Sequence, residues 1–373
     1  MHVPDGFINA PVSIAAGAVA AGAVAVSLRG ARRELAGPAH AGGLVGAERT
    51  APLAGLVAAF IFAVQMLNFP VAAGTSGHLL GGALAAILVG PYTGVLCIAV
   101  VLLMQGVLFA DGGLTALGVN ITIMGVVTAV VAYALFRGLL AVLPGGRRSI
   151  AAAGFLAALV SVPASAAAFT LLYWLGGTTD VPIGKVLVAM VGVHVLIGIG
   201  EALITMLTVG AVLAVRPDLV YGARGLRRPL KLRVGGELID APAAEPPGPS
   251  RSPRTVWLVG LAAALVLAGF GSFYASAHPD GLEKVAADKG IDEKVEEHAA
   301  AGSPLADYGI EDITNARISG GLAGVIGVGA TVVVGSGVFY VTARRRRTRQ
   351  DDQAGRAPSP PSASQPPSDA PRE

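Results

Sequence analysis

The chain has 373 residues, of which 53% are hydrophobic and 14% charged, with 51 glycines, 6 histidines and 1 cysteine. Its mean hydropathy of +0.66 is more apolar than an ordinary soluble domain, so composition supports a membrane protein. The net charge of +3 comes without a basic, aromatic-interleaved element in water, which excludes a nucleic-acid surface. The lone Cys97 excludes an internal disulfide or a thiolate metal cluster and reads as a small buried hydrophobe.

Apolar runs of about 20 residues predict bilayer-spanning helices. They fall at 9–28, 51–69, 78–89, 92–109, 118–142, 150–175 and 185–215, and again at 257–274 and 319–341. The third run is short, which predicts a tilted or broken span. The first has no basic residues ahead of it, so it is expected to be an uncleaved helix and not a secretory signal.

Lys and Arg accumulate in short cytoplasmic loops. Arg29, Arg32 and Arg33 follow the first run, Arg137, Arg147 and Arg148 the fifth, Arg216, Arg224, Arg227, Arg228, Lys231 and Arg233 the seventh, and Arg344, Arg345, Arg346 and Arg347 the last. Alternating crossings put all of these on one side, predicting a multi-pass plasma-membrane protein with its N-terminus outside. The expected organisation is a compact helical unit at 1–215, a basic then Pro-rich cytoplasmic linker at 216–254, a two-helix unit at 255–343 around an external segment at 276–317, and a disordered cytoplasmic tail at 344–373. Small residues such as Ala54, Gly55 and Ala58 let helices approach closely in lipid.

The chain opens Met1-His2-Val3-Pro4-Asp5-Gly6-Phe7. The α-amine, the His2 amide nitrogen and the His2 imidazole can close fused rings on one divalent ion, giving roughly coplanar donors and one open position for a second imidazole. Nitrogen-rich tetragonal coordination suits Ni(II), Cu(II) and related borderline ions better than Mg or Ca. His78 can supply that imidazole. It lies in the Gly/Ser/Thr stretch Gly74-Thr75-Ser76-Gly77-His78, on the same predicted side as Met1, where the Thr75 and Ser76 hydroxyls could orient its ring. The alternative for His78 is a helix-capping residue at the membrane surface. Gln105, Asp111 and Asn120 flank the same external end and are candidates to support the site.

The opening heptapeptide, the stretch 68–82 and the stretch Leu108-Phe109-Ala110-Asp111-Gly112-Gly113-Leu114-Thr115-Ala116-Leu117-Gly118-Val119-Asn120 resemble the substrate-binding membrane component of cobalt/nickel energy-coupling factor (ECF) transporters, the CbiM/NikM family. Over 1–215 the resemblance implies an all-α membrane protein with a seven-helix S-component bundle. It also implies that Co²⁺ or Ni²⁺ is bound through the Met1 amine, the His2 amide and imidazole, and His78. Partners would be two ATPase subunits and a transmembrane T component. His278-Pro279-Asp280-Gly281-Leu282-Glu283 resembles the PDGLE domain, comparable to the two-helix accessory CbiN/NikN subunits with an external loop. Pro279-Asp280-Gly281 echoes Pro4-Asp5-Gly6, and both read as independent turns. The acidic residues of the external segment, among them Asp288, Asp292, Glu293, Glu296 and Glu297, read as a solvated face.

His194 and Glu201 are seven positions apart in one span, hence on one helix face. Ionisable groups at that depth mark function or an interior pair. They are expected to sit too deep to join the external site, with a role in packing or in coupling to the transmembrane partner. No phosphate-binding Gly-x-x-x-x-Gly-Lys-Ser/Thr loop and no catalytic motif occurs in the sequence. The expected protein is therefore not an enzyme and has no prosthetic group. It captures Co²⁺ or Ni²⁺ for an importer powered by other subunits, with cobalamin synthesis as the expected use of cobalt. The alternative is a self-sufficient ion-coupled divalent-metal carrier or channel, which would need ionisable residues threading several spans.

Overall fold

The computed structural model describes residues 1–35, 43–72, 74–224, 231–234, 237–240 and 253–354. His40, much of the 216–254 linker and the tail beyond Ala354 lie outside the described residues. The first helix, α1 (Ala10–Glu34), starts where the Asn9 side chain accepts from the Val12 amide and ends with Arg32 and Arg33 in its last turn. At 1.5 Å per residue it is about 37 Å long, enough to cross a bilayer. α2 (Gly43–Gln65) follows.

The predicted second run continued to 69, but the chain leaves the helix at Gln65. Phe69–Ala72 forms β1 and pairs antiparallel with β2 (Thr75–Gly77), matching Phe69 to Gly77 and Pro70 to Ser76. Pro70 lacks the amide hydrogen that a helix would need, and Gly74, with φ of 73°, turns the chain. The third run is a broken span. His78 to Leu80 have no regular secondary structure, Gly81 takes a left-handed φ of 84°, and α3 (Gly82–Val89) is only 8 residues long and wholly buried. A Cβ at Gly82 would stand 1.8 Å from the Thr128 hydroxyl, so α3 enters the bundle where only glycine fits.

α4 (Pro91–Leu108), α5 (Leu117–Val142), α6 (Arg147–Gly176) and α7 (Ile183–Val215) complete the first unit. α5 contains a π-helical stretch, Ile121–Val127. Its side chains form one continuous core with Phe62, Phe109, Phe136 and Phe169 fully enclosed. In the expected linker, Lys231–Val234 (β3) pairs with Glu237–Asp240 (β4). Charged and apolar residues alternate in Lys231-Leu232-Arg233-Val234, which favours a strand over the coil that composition suggested.

The second unit comprises α8 (Pro253–Gly269), a short helix α9 (Gly281–Lys289) and α10 (Ala316–Ala354). α10 packs along α2 and α8. It runs past the predicted end of its span, so residues 344–354 of the expected disordered tail continue the helix. Among the described residues, seven helices are long and apolar enough to cross a membrane. α2 has only the shorter apolar stretch Pro52–Gln65. The protein is an all-α membrane protein apart from its two small hairpins.

Two ends of the bundle are defined by contacts. Arg224 donates to the Glu34 carbonyl at 3.2 Å, joining the Arg-rich end of α1 to the segment after α7. Met1, the β1–β2 hairpin and α9 lie at the other end.

Candidate metal centre

The first residues are buried, not trailing. Met1 is 2% and Val3 0% exposed. The Asn120 side chain grips Val3 from both sides, its Oδ1 accepting from the Val3 amide at 2.8 Å and its Nδ2 donating to the Val3 carbonyl at 3.0 Å. Asp5 accepts from the Leu114 amide at 3.2 Å and from the Thr115 amide at 2.8 Å and hydroxyl at 2.5 Å. The Thr178 hydroxyl donates to the Gly6 carbonyl at 2.6 Å, and the Asn9 amide to the Gly176 carbonyl at 2.7 Å. These bonds thread residues 1–9 between the α4–α5 and α6–α7 loops.

Threading brings the α-amine to His78. The Met1 nitrogen lies 2.5 Å from His78 Nε2. His78 Nδ1 is 3.0 Å from the Leu79 carbonyl, which can only accept, so the proton sits on Nδ1 and the Nε2 lone pair faces the amine. Burial and the neighbouring ammonium both push the His78 imidazole down, against the raising influence of Asp280, and favour its neutral, metal-ligating form. Its ring stacks on that of His2, with centroids 5.0 Å apart and planes 9° apart.

His2 differs from the chelate expected of it. Its Nδ1 is 2.8 Å from Asp111 Oδ1, and its Nε2 is buried without a partner. Asp111 also accepts from the Tyr308 hydroxyl at 2.6 Å. Burial pushes the Asp111 carboxyl up, but the His2 imidazole and Tyr308 outweigh it and bring it down to about 2. To close a chelate, His2 Nδ1 must exchange Asp111 for the ion. Among the described residues no group of three or more His, Cys, Asp or Glu is arranged to hold a metal.

The expected orienting hydroxyls are employed elsewhere. Leu79, not Thr75 or Ser76, fixes the His78 ring; Thr75 is simply buried in β2. Ser76 donates through its hydroxyl to the His278 carbonyl at 2.7 Å and through its amide to the Pro279 carbonyl at 2.8 Å. The second unit is thus clipped to the residue pair preceding His78. It caps the site further through Tyr308, stacked on Phe109 with centroids 4.8 Å apart, and through His298, 3.2 Å from the Gly112 carbonyl.

The two deep residues do not pair with each other. His194 Nδ1 lies 2.7 Å from the Met190 carbonyl, leaving Nε2 buried and unpartnered. Glu201 accepts from the Leu80 amide at 2.7 Å and the Gly81 amide at 3.1 Å. It meets the backbone just after His78, because the broken third span carries that strip down to it.

Sequence reasoning passed over Asp280. Its carboxylate accepts from the Met1 amine, and its Oδ2 is 3.3 Å from His78 Nε2. The repeated Pro-Asp-Gly triplet was the available signal. The two aspartates serve different contacts: Asp280 reaches the Met1 amine, and Asp5 bonds to residues 114 and 115.

A buried amine and imidazole thus meet inside a polytopic helical bundle. The chain belongs to the CbiM family, described as a cobalt uptake substrate-specific transmembrane region, which matches residues 2–219, and a PDGLE domain matches residues 254–344. It is similar to the fused nickel transport protein NikMN of Rhodobacter capsulatus, with 37% identity over 41% of this chain and 42% of that protein. It also resembles the cobalt transport protein CbiM of Geobacter sulfurreducens, with 32% identity over 64% of this chain and 66% of that one. The CbiM of Sorangium cellulosum is 36% identical over 45% of this chain and 76% of its own. The crystal structure of a truncated transition metal transporter aligns with 26% identity and a TM-score of 0.48, covering 57% of this chain and 99% of that one.

Proposed function

We propose that this chain captures Co²⁺ or Ni²⁺ as the substrate-binding subunit of an ECF-type importer, with hydrolysis supplied by partner ATPase subunits and coupling by a transmembrane T component. The observation that carries this reading is the Met1 amine held 2.5 Å from His78 Nε2 in a buried pocket. Metal binding requires both nitrogens deprotonated, so the ion takes the place of the ammonium proton between them. The His2 amide and imidazole then complete a nitrogen set suited to a borderline divalent ion. Residues 1–215 form the capture unit and 255–343 the accessory unit covering its mouth. Support for a transport role also comes from the names of the relatives, which specify cobalt in some and nickel in others.

The reading is tested by isothermal titration of purified protein, its N-terminus verified by mass, with Ni²⁺ and Co²⁺. His78→Ala is expected to abolish tight binding, and wild-type affinity in that variant would end the proposal. Copurification with the partner subunits and metal-stimulated ATP hydrolysis test the importer assignment.

Orientation follows from the basic residues, which gather at the end opposite Met1. Single cysteines at positions 224 and 300, in a Cys97→Ala background, should react with an impermeant thiol reagent in sealed cells at 300 only. Labelling at 224 would reverse the orientation. Deleting 276–317 removes Asp280, His298 and Tyr308 together, and uptake in the presence of the partners should fall at least about tenfold, since groups supporting metal ligands carry effects of that size. Uptake equal to the intact chain would show that the accessory unit is dispensable.

A further inference from the structure

The nitrogen donors considered so far all come from the first unit, but a carboxylate from the second stands among them. Asp280 is 6% exposed and sits immediately before α9. Its Oδ1 is committed to its own helix, accepting from the Leu282 amide at 2.7 Å and the Glu283 amide at 2.9 Å, while Glu283 returns the bond by accepting from the Asp280 amide at 2.8 Å. Its neighbours are fixed as well. The Pro279 carbonyl accepts from Ser76, and a Cβ on Gly281 would stand 2.7 Å from the Ile197 side chain. Swinging the carboxylate aside would break the capping box, and the Ser76 bond to Pro279 holds the backbone that carries it. Asp280 therefore projects Oδ2 into the site from a rigid mount.

That oxygen touches both of the nitrogens that face each other. The Met1 nitrogen to His78 Nε2 separation is 2.5 Å, and Asp280 Oδ2 to His78 Nε2 is 3.3 Å. Around a first-row divalent ion with bonds of about 2.0–2.2 Å, donors at right angles lie about 2.9 Å apart. The three atoms already span a face of a coordination sphere. The fused chelate of Met1 and His2, with His78, occupies a plane, so an oxygen adjacent to both Met1 and His78 can bind only along the axis.

We infer that Asp280 Oδ2 is an axial metal ligand, supplied to the nitrogen plane by the PDGLE unit. This inference rests on the metal-centre reading above. Its consequence is for selectivity. Four nitrogens alone favour square-planar Ni(II) or Cu(II), whereas an added carboxylate oxygen gives a five-coordinate site that also accommodates Co²⁺. The accessory unit would then complete the coordination sphere as well as cover it.

The test uses the full chain with its native N-terminus, loaded with Ni²⁺ or Co²⁺ and examined by titration and X-ray absorption. Wild-type protein should give a five-coordinate metal with mixed nitrogen and oxygen ligands. Asp280→Asn keeps an oxygen to cap α9; it should weaken Co²⁺ binding at least about tenfold and convert bound Ni²⁺ to a four-coordinate planar signature. A planar, all-nitrogen spectrum from wild-type protein would overturn the assignment without any variant. So would unchanged Kd and spectrum in Asp280→Asn, or tighter binding there, which would make the carboxylate a counter-ion that competes with the metal. If instead wild-type protein binds neither ion, or His78→Ala binds as tightly as wild type, the metal-centre reading itself fails, and the inference fails with it.

Discussion

Placing one extra residue before Met1 should abolish tight Ni²⁺ and Co²⁺ binding while leaving the fold in the membrane intact. The extension converts the amine at His78 into an amide nitrogen, which releases its proton far less readily. It also adds bulk where Met1 is 2% exposed and Asp280 already fills the remaining contact. The anchors further along, Asn120 on Val3 and Asp5 on Thr115, do not involve the amine and hold residues 3–9 in place. The loss should therefore be mainly in affinity, with a local cost to the metal-free protein where the Met1–Asp280 pair is disturbed and the fold retained. Metal affinity depends on every donor being present and deprotonated, and losing a chelating end donor is expected to cost at least about a hundredfold in Kd. Titration of the extended and native proteins, with each N-terminus verified by mass spectrometry, measures the difference. Equal affinities would rule out the amine as a ligand and leave a histidine-only site.

Most spans were legible because lipid leaves one solution for a long apolar run. Backbone polar groups must be satisfied within the segment, so a run of about 20 apolar residues becomes a helix whatever its neighbours do. α4, α6 and α7 start and stop within a few residues of where hydropathy puts them. The region from Gln65 to Val89 was harder. Two apolar runs meet there, and Pro70, Gly74 and Gly81 divide it into a hairpin, an irregular strip and a half-helix. Such irregular backbone is tolerated at depth only where other protein groups satisfy it. Glu201 is one of those groups, and its distance of more than a hundred positions along the chain left no local trace of the pairing.

At the site, the nitrogen donors were readable because a terminal amine next to a histidine is a chelate by covalent connectivity alone. Asp111 was readable as a residue flanking this end, though not its bond to His2; Asp280 was not, because it reaches Met1 only through tertiary packing from the other unit. Ser76 illustrates the same limit. Its sequence neighbourhood suggested a partner for His78, but antiparallel pairing turns its amide and hydroxyl toward 278–279. The exposed acidic residues of the external segment, by contrast, do form a solvated face, as charge density without apolar periodicity implies.

Glu201→Ala should loosen the metal centre from below. The substitution strips the acceptors from the Leu80 and Gly81 amides in a fully enclosed position, and each buried donor left unsatisfied costs about 1–3 kcal/mol. The strain falls on the strip that fixes His78, because the Leu79 carbonyl lies between the imidazole it orients and the amides that Glu201 holds. Loss of a group that orients a ligand typically lowers metal affinity about 10- to 100-fold. We therefore expect a weakened Kd for Ni²⁺ together with a lower melting temperature. Glu201→Gln keeps one acceptor oxygen and an uncharged tip, so it should recover most of the stability and part of the affinity. A direct role as ligand would instead remove affinity in both variants, including Glu201→Gln with its stability recovered. Wild-type affinity in Glu201→Ala, with the expected drop in stability, would mean that the His78 strip is held by the hairpin and the Ser76 clip alone.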